Sequence, residues 1–246
     1  MSLPSVVEVA QKLIQLDTSN PPGNEVACVN YLKELFKKAG FETKVFARES
    51  QRANLVVTLA GRGEAPPLLF YGHLDVVTTE NQKWTHPPFA GHIDENSYLW
   101  GRGSLDMKGG VAMLAVSLIE AKKQGITPAC DIIFCAVADE EAGGDFGAAY
   151  LVDEHPELFK DVKYAIGEFG GFSIRFGGKT YYPIMVGEKQ ICHVRAKAKG
   201  VSGHASVPIK NGAISKLAQF IGRLEERPPA IFIEPPVRQL IEAISK

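Results

Sequence analysis

The sequence lacks several features that would assign it at once to a class of protein. Its 27 basic residues are balanced by 28 acidic ones, which argues against a broad basic surface for nucleic acid. No apolar run approaches the ~20 residues that a membrane span needs. The N-terminus has no basic stretch followed by a long apolar run, as a signal peptide would have. We therefore expect a soluble, cytoplasmic protein with no nucleic-acid or membrane partner.

Cysteine is also scarce, with four residues among 246 and no CxxC pair. Disulfide frameworks belong mostly to short, cysteine-dense secreted chains, so we expect buried free thiols. The sequence has no GxSxG motif and no recognisable cysteine nucleophile motif, which leaves covalent hydrolase chemistry with little support. The glycines of GRGSLDMKGG fit neither the dinucleotide-binding nor the Walker spacing.

Apolar runs predict five strands, and amphipathic stretches between them predict helices. The predicted strands are FETKVFA, ANLVVTLAG, APPLLFYGHLDVV, DIIFCAVADEE and YAIGEFGG. The predicted helices cover residues 5–16, 24–40, 109–122 and 145–154. FETKVFA alternates like an edge strand, whereas most of the others are continuously apolar, like strands covered on both faces. This order predicts an α/β fold, with a mostly parallel sheet and helices on both faces.

The pattern changes near Gly187. The segment EKQICHVRAKAKG predicts a half-exposed strand, GHASVPIKNG a loop, and residues 212–224 an amphipathic helix, with a last helix-like turn near the end of the chain. We therefore expect a first domain over residues 1–186 and the start of a smaller α+β domain over residues 187–246.

Acidic residues and one histidine follow the predicted strands or lie in the loops after them. They are His73, Asp75, Asp106, Glu140, Glu141 and Glu168. The carboxyl ends of parallel strands share one edge of a sheet, where ligands bind. Five carboxylates and an imidazole gathered there would repel without a cation, which predicts a divalent metal site. Imidazole mixed with carboxylates suits zinc, or else cobalt or manganese, and the number of ligands suggests two ions bridged by one carboxylate, as in aminopeptidases.

The segments YGHLDVV, WGRGSLDMKGG and ADEEAGG, in this order, resemble the zinc amidohydrolases that include acetylornithine deacetylase, succinyl-diaminopimelate desuccinylase, aminoacylase and glutamate carboxypeptidase. The resemblance covers about residues 5–225 and implies a zinc aminopeptidase-like fold. It implies that His73 binds one zinc ion, that Asp106 bridges both ions and that Glu141 binds the other. Glu168 matches the family's acidic ligand of the first ion.

The same resemblance implies roles for three further residues. Asp75 would lie behind His73 and orient its ring. Glu140 would be the general base, which takes a proton from the metal-bridging water and hands it to the leaving amine. VSGHASVP is similar to the family's lid motif, which implies that His204 stabilises the oxyanion, usually in the partner subunit's active site. The lid of the family also mediates dimerisation, so a homodimer is expected.

The sequence departs from the family in one respect. Full-length relatives place one more zinc-binding histidine near the C-terminus, after the chain leaves the lid. No histidine follows His204 here, so the chain either is truncated or completes its site differently. We expect truncation, which would remove one ligand of the second zinc ion and half of the lid.

Together these patterns predict a metal-dependent hydrolase that cleaves the amide bond of a peptide or N-acyl amino acid through a water activated by two zinc ions. One alternative is a non-catalytic metal-binding paralogue or regulatory module, which would need no free general base such as Glu140. A phosphate-ester hydrolase is a third hypothesis. The long segment GEFGGFSIRFGGKTYYPIMVGEKQ favours a peptidase or broad deacylase over a diaminopimelate-pathway enzyme, and the exact substrate stays open.

Overall fold

The computed structural model describes residues 3–168, 173–187, 194–204, 206–207, 210–227 and 230–245. The chain forms two compact units, Met1–Gly170 and Gly171–Lys246. This division falls earlier in the chain than the boundary between residues 186 and 187 expected from the sequence. The assignment of residues 187–246 to a lid stays a prediction.

Helices and strands alternate along the first unit. The helices are α1 (Val6–Ile14), α2 (Glu25–Lys38), α3 (Lys108–Lys123) and α4 (Ala148–Glu154). The strands are β1 (Ser19–Asn20), β2 (Thr43–Ala47), β3 (Ala53–Leu59), β4 (Leu68–His73), β5 (Val76–Val77), β6 (His92–Ile93), β7 (Leu99–Trp100), β8 (Ile132–Val137) and β9 (Tyr164–Ile166). Two short 3₁₀ helices cover Glu140–Ala142 and Pro156–Phe159.

The central sheet has the strand order β2–β3–β8–β4–β9. Strand β4 runs parallel to β8 and to β9, whereas β2–β3 and β3–β8 are antiparallel pairs. The predicted α/β class is confirmed, but the sheet is mixed rather than mostly parallel. Residues 48–52 connect β2 directly to β3, and a connection this short joins antiparallel strands, because parallel strands need a longer crossover. Strand β2 lies at the edge, as its alternating pattern predicts.

Helices cover both faces of this sheet, as the sequence predicts. Successive side chains of a strand point to opposite faces. Leu55 of β3 and Phe134 of β8 belong to the cluster formed with α1, α2 and α3. Val56 and Cys135, one position away in each strand, pack instead in a second cluster with Leu151 of α4. The apolar runs of β3 and β8 are continuous because both of their faces are buried.

Local sequence signals set the ends of the first two helices. At the start of α1, the Glu8 backbone N–H donates to Ser5 Oγ at 3.2 Å, and the Ser5 backbone N–H donates to the Glu8 carboxylate at 2.7 Å, which is a capping box. At the end of α2, Gly40 has a φ of 78°, and the Phe41 N–H donates to the Phe36 carbonyl at 3.0 Å. This reversal needs a left-handed residue, which glycine adopts without strain.

The second unit contains an antiparallel hairpin and two helices. These are β10 (Ile174–Phe176), β11 (Lys179–Tyr181), α5 (Ala213–Glu226) and α6 (Pro235–Ile244). Helix α5 confirms the helix predicted over residues 212–224. Of the strand predicted over residues 188–200, residues 188–193 lie outside the described residues and 194–200 form no strand.

Across the described ranges, no helix combines the length and the apolar character that crossing a membrane requires. The cytoplasmic location expected from the sequence stays a prediction.

The packing of the first cluster predicts the effect of a cavity at its centre. Phe134 is fully buried, and its ring centroid lies 5.1 Å from that of Phe36. We expect Phe134→Ala to lower the free energy of unfolding by about 3–5 kcal/mol, measured by urea denaturation. Val152→Ala, at a position of α4 that is 57% exposed, is the control and should change it by less than about 0.5 kcal/mol. Equal losses in the two variants would contradict the placement of Phe134 in the core.

Candidate metal centre

The predicted site residues come from adjacent strand ends in the first unit. Strand β4 ends at His73, the turn after β8 carries Glu140 and Glu141, and Glu168 follows the end of β9. Since β4 lies between β8 and β9 and is parallel to both, these carboxyl ends meet at one edge of the sheet. Asp106 comes from the loop before α3. The convergence expected from the sequence is confirmed for these strands.

Four of these side chains form a compact polar cluster. His73 Nε2 lies 2.8 Å from Asp106 Oδ1, 3.9 Å from Glu140 Oε2 and 4.0 Å from Glu168 Oε2. One potential ligand atom from each of His73, Asp106 and Glu168 lies within 4.8 Å of the other two. The imidazole is buried, whereas the three carboxylates are about half exposed. A small cation from solvent can therefore reach all four groups.

Asp75 contacts the same histidine from its other side. The His73 Nδ1–H donates to the Asp75 backbone carbonyl at 2.9 Å, and Asp75 Oδ1 lies 3.5 Å from the same nitrogen. This contact leaves Nε2 directed towards the cluster, as expected for a ligating histidine. The carboxylate of Asp75 also accepts hydrogen bonds from the backbone N–H groups of Glu140 and Glu141, each at 3.0 Å. Asp75 therefore fixes both the ring and the turn that carries the two glutamates.

The sequence DEEAGG explains the shape of that turn. Asp139 has a φ of 67°, a left-handed conformation that aspartate adopts more readily than most residues. Its carbonyl accepts a hydrogen bond from the Gly144 N–H at 2.6 Å. Gly143 and Gly144 both have positive φ, at 121° and 81°, so the glycines allow the chain to reverse directly after Glu141.

Burial and like charge shift the pKa values of the cluster. Burial acts to lower the pKa of His73, but the adjacent Asp75 outweighs it and raises this pKa to about 9. Burial and the nearby Asp106 carboxylate raise the pKa of Glu168 to about 7. The same two causes raise the pKa of Glu141. Burial acts to raise the pKa of Asp75, but His73 and Asn20 outweigh it and lower this pKa. The cluster holds more negative charge than its own imidazole balances.

A second group of polar side chains, which we call the buried network, lies beneath the cluster. Its members are Asn20, Glu25, Arg52, Asp75 and Asp139, all at most 6% exposed. Arg52 donates two hydrogen bonds to the Glu25 carboxylate, both at 2.8 Å, and a third to Asp139 Oδ1 at 2.8 Å. Asn20 joins Asp139 to Asp75. A Cβ on Gly23 would lie 2.4 Å from Arg52 Nε, so the guanidinium requires glycine at this position.

Sequence reasoning missed four members of this network. Asn20 lies in a proline-rich segment read only as a loop, and Glu25 reads as an ordinary acid at a helix start. Arg52 stands in a polar connection between two strands, where an exposed side chain is the usual expectation. For Asp139 a signal was available, because it is the first of three acids directly after a buried strand. The burial of the others depends on tertiary contacts that a single sequence does not reveal.

Two further predicted residues, Glu141 and His204, do not belong to the ligand group of His73, Asp106 and Glu168 found among the described residues. Glu141 lies on the same turn as Glu140, but it is not part of the three-residue ligand group identified among the described residues. His204 is an exposed residue of the second unit, and its Nδ1 lies 2.7 Å from Ser206 Oγ. The ligand and catalytic roles implied by the resemblance stay predictions for all of these positions.

The donor set of the cluster fits a divalent cation. Carboxylates at this spacing repel one another, and burial together with that repulsion raises the pKa of Glu168 to about 7. A bound cation would relieve it. One imidazole combined with carboxylate oxygens suits zinc, cobalt or manganese better than calcium or magnesium, which prefer oxygen ligands alone. His73, Asp106 and Glu168 are therefore the residues placed to hold a metal.

Comparison with known protein families gives a match over most of the chain. The model described as peptidase family M20/M25/M40 matches residues 69–244. This range includes His73, Asp106, Glu140, Glu141 and Glu168.

Individual relatives and a solved structure are also similar to this chain. "Probable carboxypeptidase S-like 2" of Dictyostelium discoideum is 36% identical over 72% of this chain and 35% of its own length. "Probable succinyl-diaminopimelate desuccinylase" of Staphylococcus aureus is 35% identical over 90% of this chain and 52% of its own length. The chain thus spans about half the length of these relatives, or less. An M20 family metallo-carboxypeptidase from Sulfolobus solfataricus superposes with a TM-score of 0.58 at 18% identity, covering 67% of this chain and 37% of that one, which shows the fold.

The raised pKa values predict how metal binding depends on pH. A metal must displace the protons that its ligands hold, and His73 has a pKa of about 9 and Glu168 of about 7. The apparent affinity for zinc should rise about tenfold per pH unit between pH 7 and 8, because binding must displace the proton that His73 still holds there, and more steeply between pH 6 and 7, where Glu168 also holds a proton that must be displaced. Calorimetric titration at these pH values measures the slope. Glu168→Gln should lower the affinity and remove the extra steepness below pH 7. An affinity that does not change with pH would contradict the assignment.

Proposed function

Because the chain belongs to peptidase family M20/M25/M40, we propose that it carries the metal-binding, catalytic part of a hydrolase that cleaves the amide bond of a peptide or N-acyl amino acid. The observation that carries this proposal is the cluster of His73, Asp106 and Glu168, with Glu140 Oε2 3.9 Å from the same imidazole nitrogen. The activity, substrate and partners of the whole protein are part of the proposal, since the curated relatives are about twice as long or longer.

The proposed metal ligands are those expected from the sequence. His73 and Glu168 would hold one ion, Asp106 would bridge, and Glu141 would hold the other. We propose zinc, with cobalt or manganese as substitutes. When bound, such ions polarise the scissile carbonyl and lower the pKa of a water molecule. Burial and the nearby negative charge of Asp106 raise the pKa of Glu141. A cation bound by Glu141 would offset that negative charge, which supports the proposed role of Glu141 as a metal ligand.

Glu140 is the proposed general base. Its side chain is 48% exposed, so both the attacking water and the substrate can reach it. The Glu140 backbone N–H donates to the buried Asp75 carboxylate, and this hydrogen bond fixes the position of the Glu140 backbone from which the side chain extends. The Glu140 carboxylate accepts the proton of the attacking water and then delivers it to the leaving amine nitrogen. Asp75 contributes by orienting His73 and by holding the backbone of Glu140.

The substrate class follows from what the named relatives share. One is named a carboxypeptidase and one a desuccinylase, and both names describe hydrolysis of an amide close to a carboxylate. We propose a substrate of this kind. The preference for a peptidase or broad deacylase, drawn from the segment after Glu168, stays a prediction, because relatives with names of both kinds match this chain.

Removal of the base tests the mechanism. We expect Glu140→Gln to lower kcat by roughly 10²–10⁴-fold towards dipeptides and N-acyl amino acids, without loss of bound zinc. The assay combines metal analysis with a substrate panel that also includes N-succinyl amino acids and nitrophenyl phosphate. Glu34→Gln is the matched control, because its side chain is 62% exposed and pairs with Lys37 at 3.5 Å on the surface of α2, and it should leave kcat unchanged.

Two results would contradict the mechanism. Hydrolysis that survives Glu140→Gln would remove Glu140 as the base. A chain that binds two zinc ions but hydrolyses no member of the panel would favour the non-catalytic metal-binding alternative.

The proposed role of His204 and the proposed homodimer can be tested together. His204→Ala alone should lower kcat by roughly 10²–10³-fold, because an oxyanion donor is lost. If His204 acts in the partner subunit's site, mixing His204→Ala with Glu140→Gln should restore activity, since a mixed dimer contains one complete site. Subunit exchange is verified by mass spectrometry of differently tagged chains. Verified exchange without recovery would contradict action across a dimer.

A further inference from the structure

Asn20 links two buried carboxyl groups, those of Asp75 and Asp139, through its side-chain amide. Its side-chain amide donates one hydrogen bond to Asp75 Oδ2 at 2.8 Å and the other to Asp139 Oδ1 at 2.9 Å. An amide nitrogen carries two donors, and both are used here. All three side chains are at most 6% exposed, so water does not compete and each hydrogen bond to a carboxylate is strong.

The two carboxyl groups that Asn20 joins hold both ends of the turn with the proposed base. Asp75 accepts the backbone N–H groups of Glu140 and Glu141, each at 3.0 Å. Asp139 Oδ2 accepts the N–H of Phe146 at 3.3 Å, where the turn leads towards α4. The distance between the Asp75 and Asp139 carboxylates therefore sets the position of the Glu140 backbone.

Asn20 itself is fixed from two directions. Its backbone belongs to β1, which pairs in parallel with β5, so that Asn20 lies opposite Val77, two residues beyond Asp75. On the far side of Asp139, Arg52 Nη2 donates to Asp139 Oδ1 at 2.8 Å, and Arg52 Nε and Nη2 also donate to the Glu25 carboxylate. A shift of the turn would break hydrogen bonds on both sides of the amide.

We infer that Asn20 is a positioning residue, which holds the turn of Glu140 and Glu141 in place by bridging Asp75 and Asp139. Its consequence for hydrolysis rests on the proposed function, whereas its effect on the turn does not depend on a metal or a substrate. Arg52, which is paired with Glu25, supports the same bridge by its hydrogen bond to Asp139.

The chemistry of substitution distinguishes bridging from simple packing. Asn20→Asp keeps the size of the side chain but replaces two donors with a third carboxylate. Asn20→Ala removes the donors without adding charge. A packing role predicts that Asn20→Asp disturbs the turn of Glu140 and Glu141 less than Asn20→Ala does, because the volume of the side chain is preserved. The bridging role predicts that Asn20→Asp disturbs this turn more, because three carboxylates would then meet in a buried space.

Hydrogen exchange of the metal-free 246-residue chain is the primary measurement. The backbone amides of Glu140 and Glu141 should exchange roughly tenfold faster in Asn20→Ala than in the wild type, because their acceptor loses its anchor. Thr18→Val is the matched control. It removes one buried hydrogen bond, from Thr18 Oγ1 to the Leu74 carbonyl at 2.6 Å, in the same segment and touches neither carboxylate. It should leave the exchange of the turn unchanged.

Zinc affinity and kinetics form the second measurement. In Asn20→Ala we expect zinc affinity to fall about tenfold and kcat to fall more than KM rises, because the base is displaced while substrate contacts remain. The inference is overturned if Asn20→Ala leaves hydrogen exchange in the turn unchanged, or if Thr18→Val accelerates this exchange equally. It is also overturned if Asn20→Asp accelerates the exchange less than Asn20→Ala does. If Asn20→Asp does not fold, the exchange comparison of Asn20→Ala with Thr18→Val decides alone. A wild-type chain that binds no zinc would refute the proposed function, while the exchange data would still decide the role of Asn20.

Discussion

Repulsion among carboxyl groups is the constraint on which the rest of this structure depends. The strand order β8–β4–β9 brings their carboxyl ends to one edge, and Asp106 joins them from a separate loop. The outer groups, at the surface of the cluster, can share a cation from solvent. The inner groups have no such access and are satisfied instead by Arg52 and by the amide of Asn20. The two layers solve the same electrostatic problem by different means.

Asp75 is the residue at which the two layers meet. Its backbone carbonyl and one carboxylate oxygen face His73, while both carboxylate oxygens accept N–H groups of the glutamate turn. One residue therefore sets the orientation of a proposed ligand on β4 and the position of a proposed base after β8. A neutral amide side chain could not replace the Asp75 carboxylate, because an amide offers a single acceptor oxygen where the carboxylate offers two.

The fold and the outer layer follow largely from sequence patterns, and the inner layer does not. Continuous apolar runs identify β3 and β8, and the helical spacing of apolar residues identifies α1, because these signals are local. The acids at strand ends converge because parallel strands share an edge. The antiparallel start of the sheet differs from the mostly parallel prediction, because apolar patterns identify strands without setting their direction, which here depends on the short connection at residues 48–52. Arg52 and Asn20 were missed because their partners Asp75, Glu25 and Asp139 lie far from them in sequence and meet them only in the folded chain.

The separation of the cluster along the chain has a consequence for the order of folding. His73 ends strand β4 and Glu168 follows strand β9, which pairs directly with β4, although most of the first unit separates the two residues in sequence. Strand β9 pairs with β4 at only three positions, so its attachment depends on a surface that β8 and β4 have already formed. On a ribosome, the chain would complete its helices α1 to α4 before Glu168 emerges. Capture of the proposed metal would then follow assembly of the sheet rather than nucleate it.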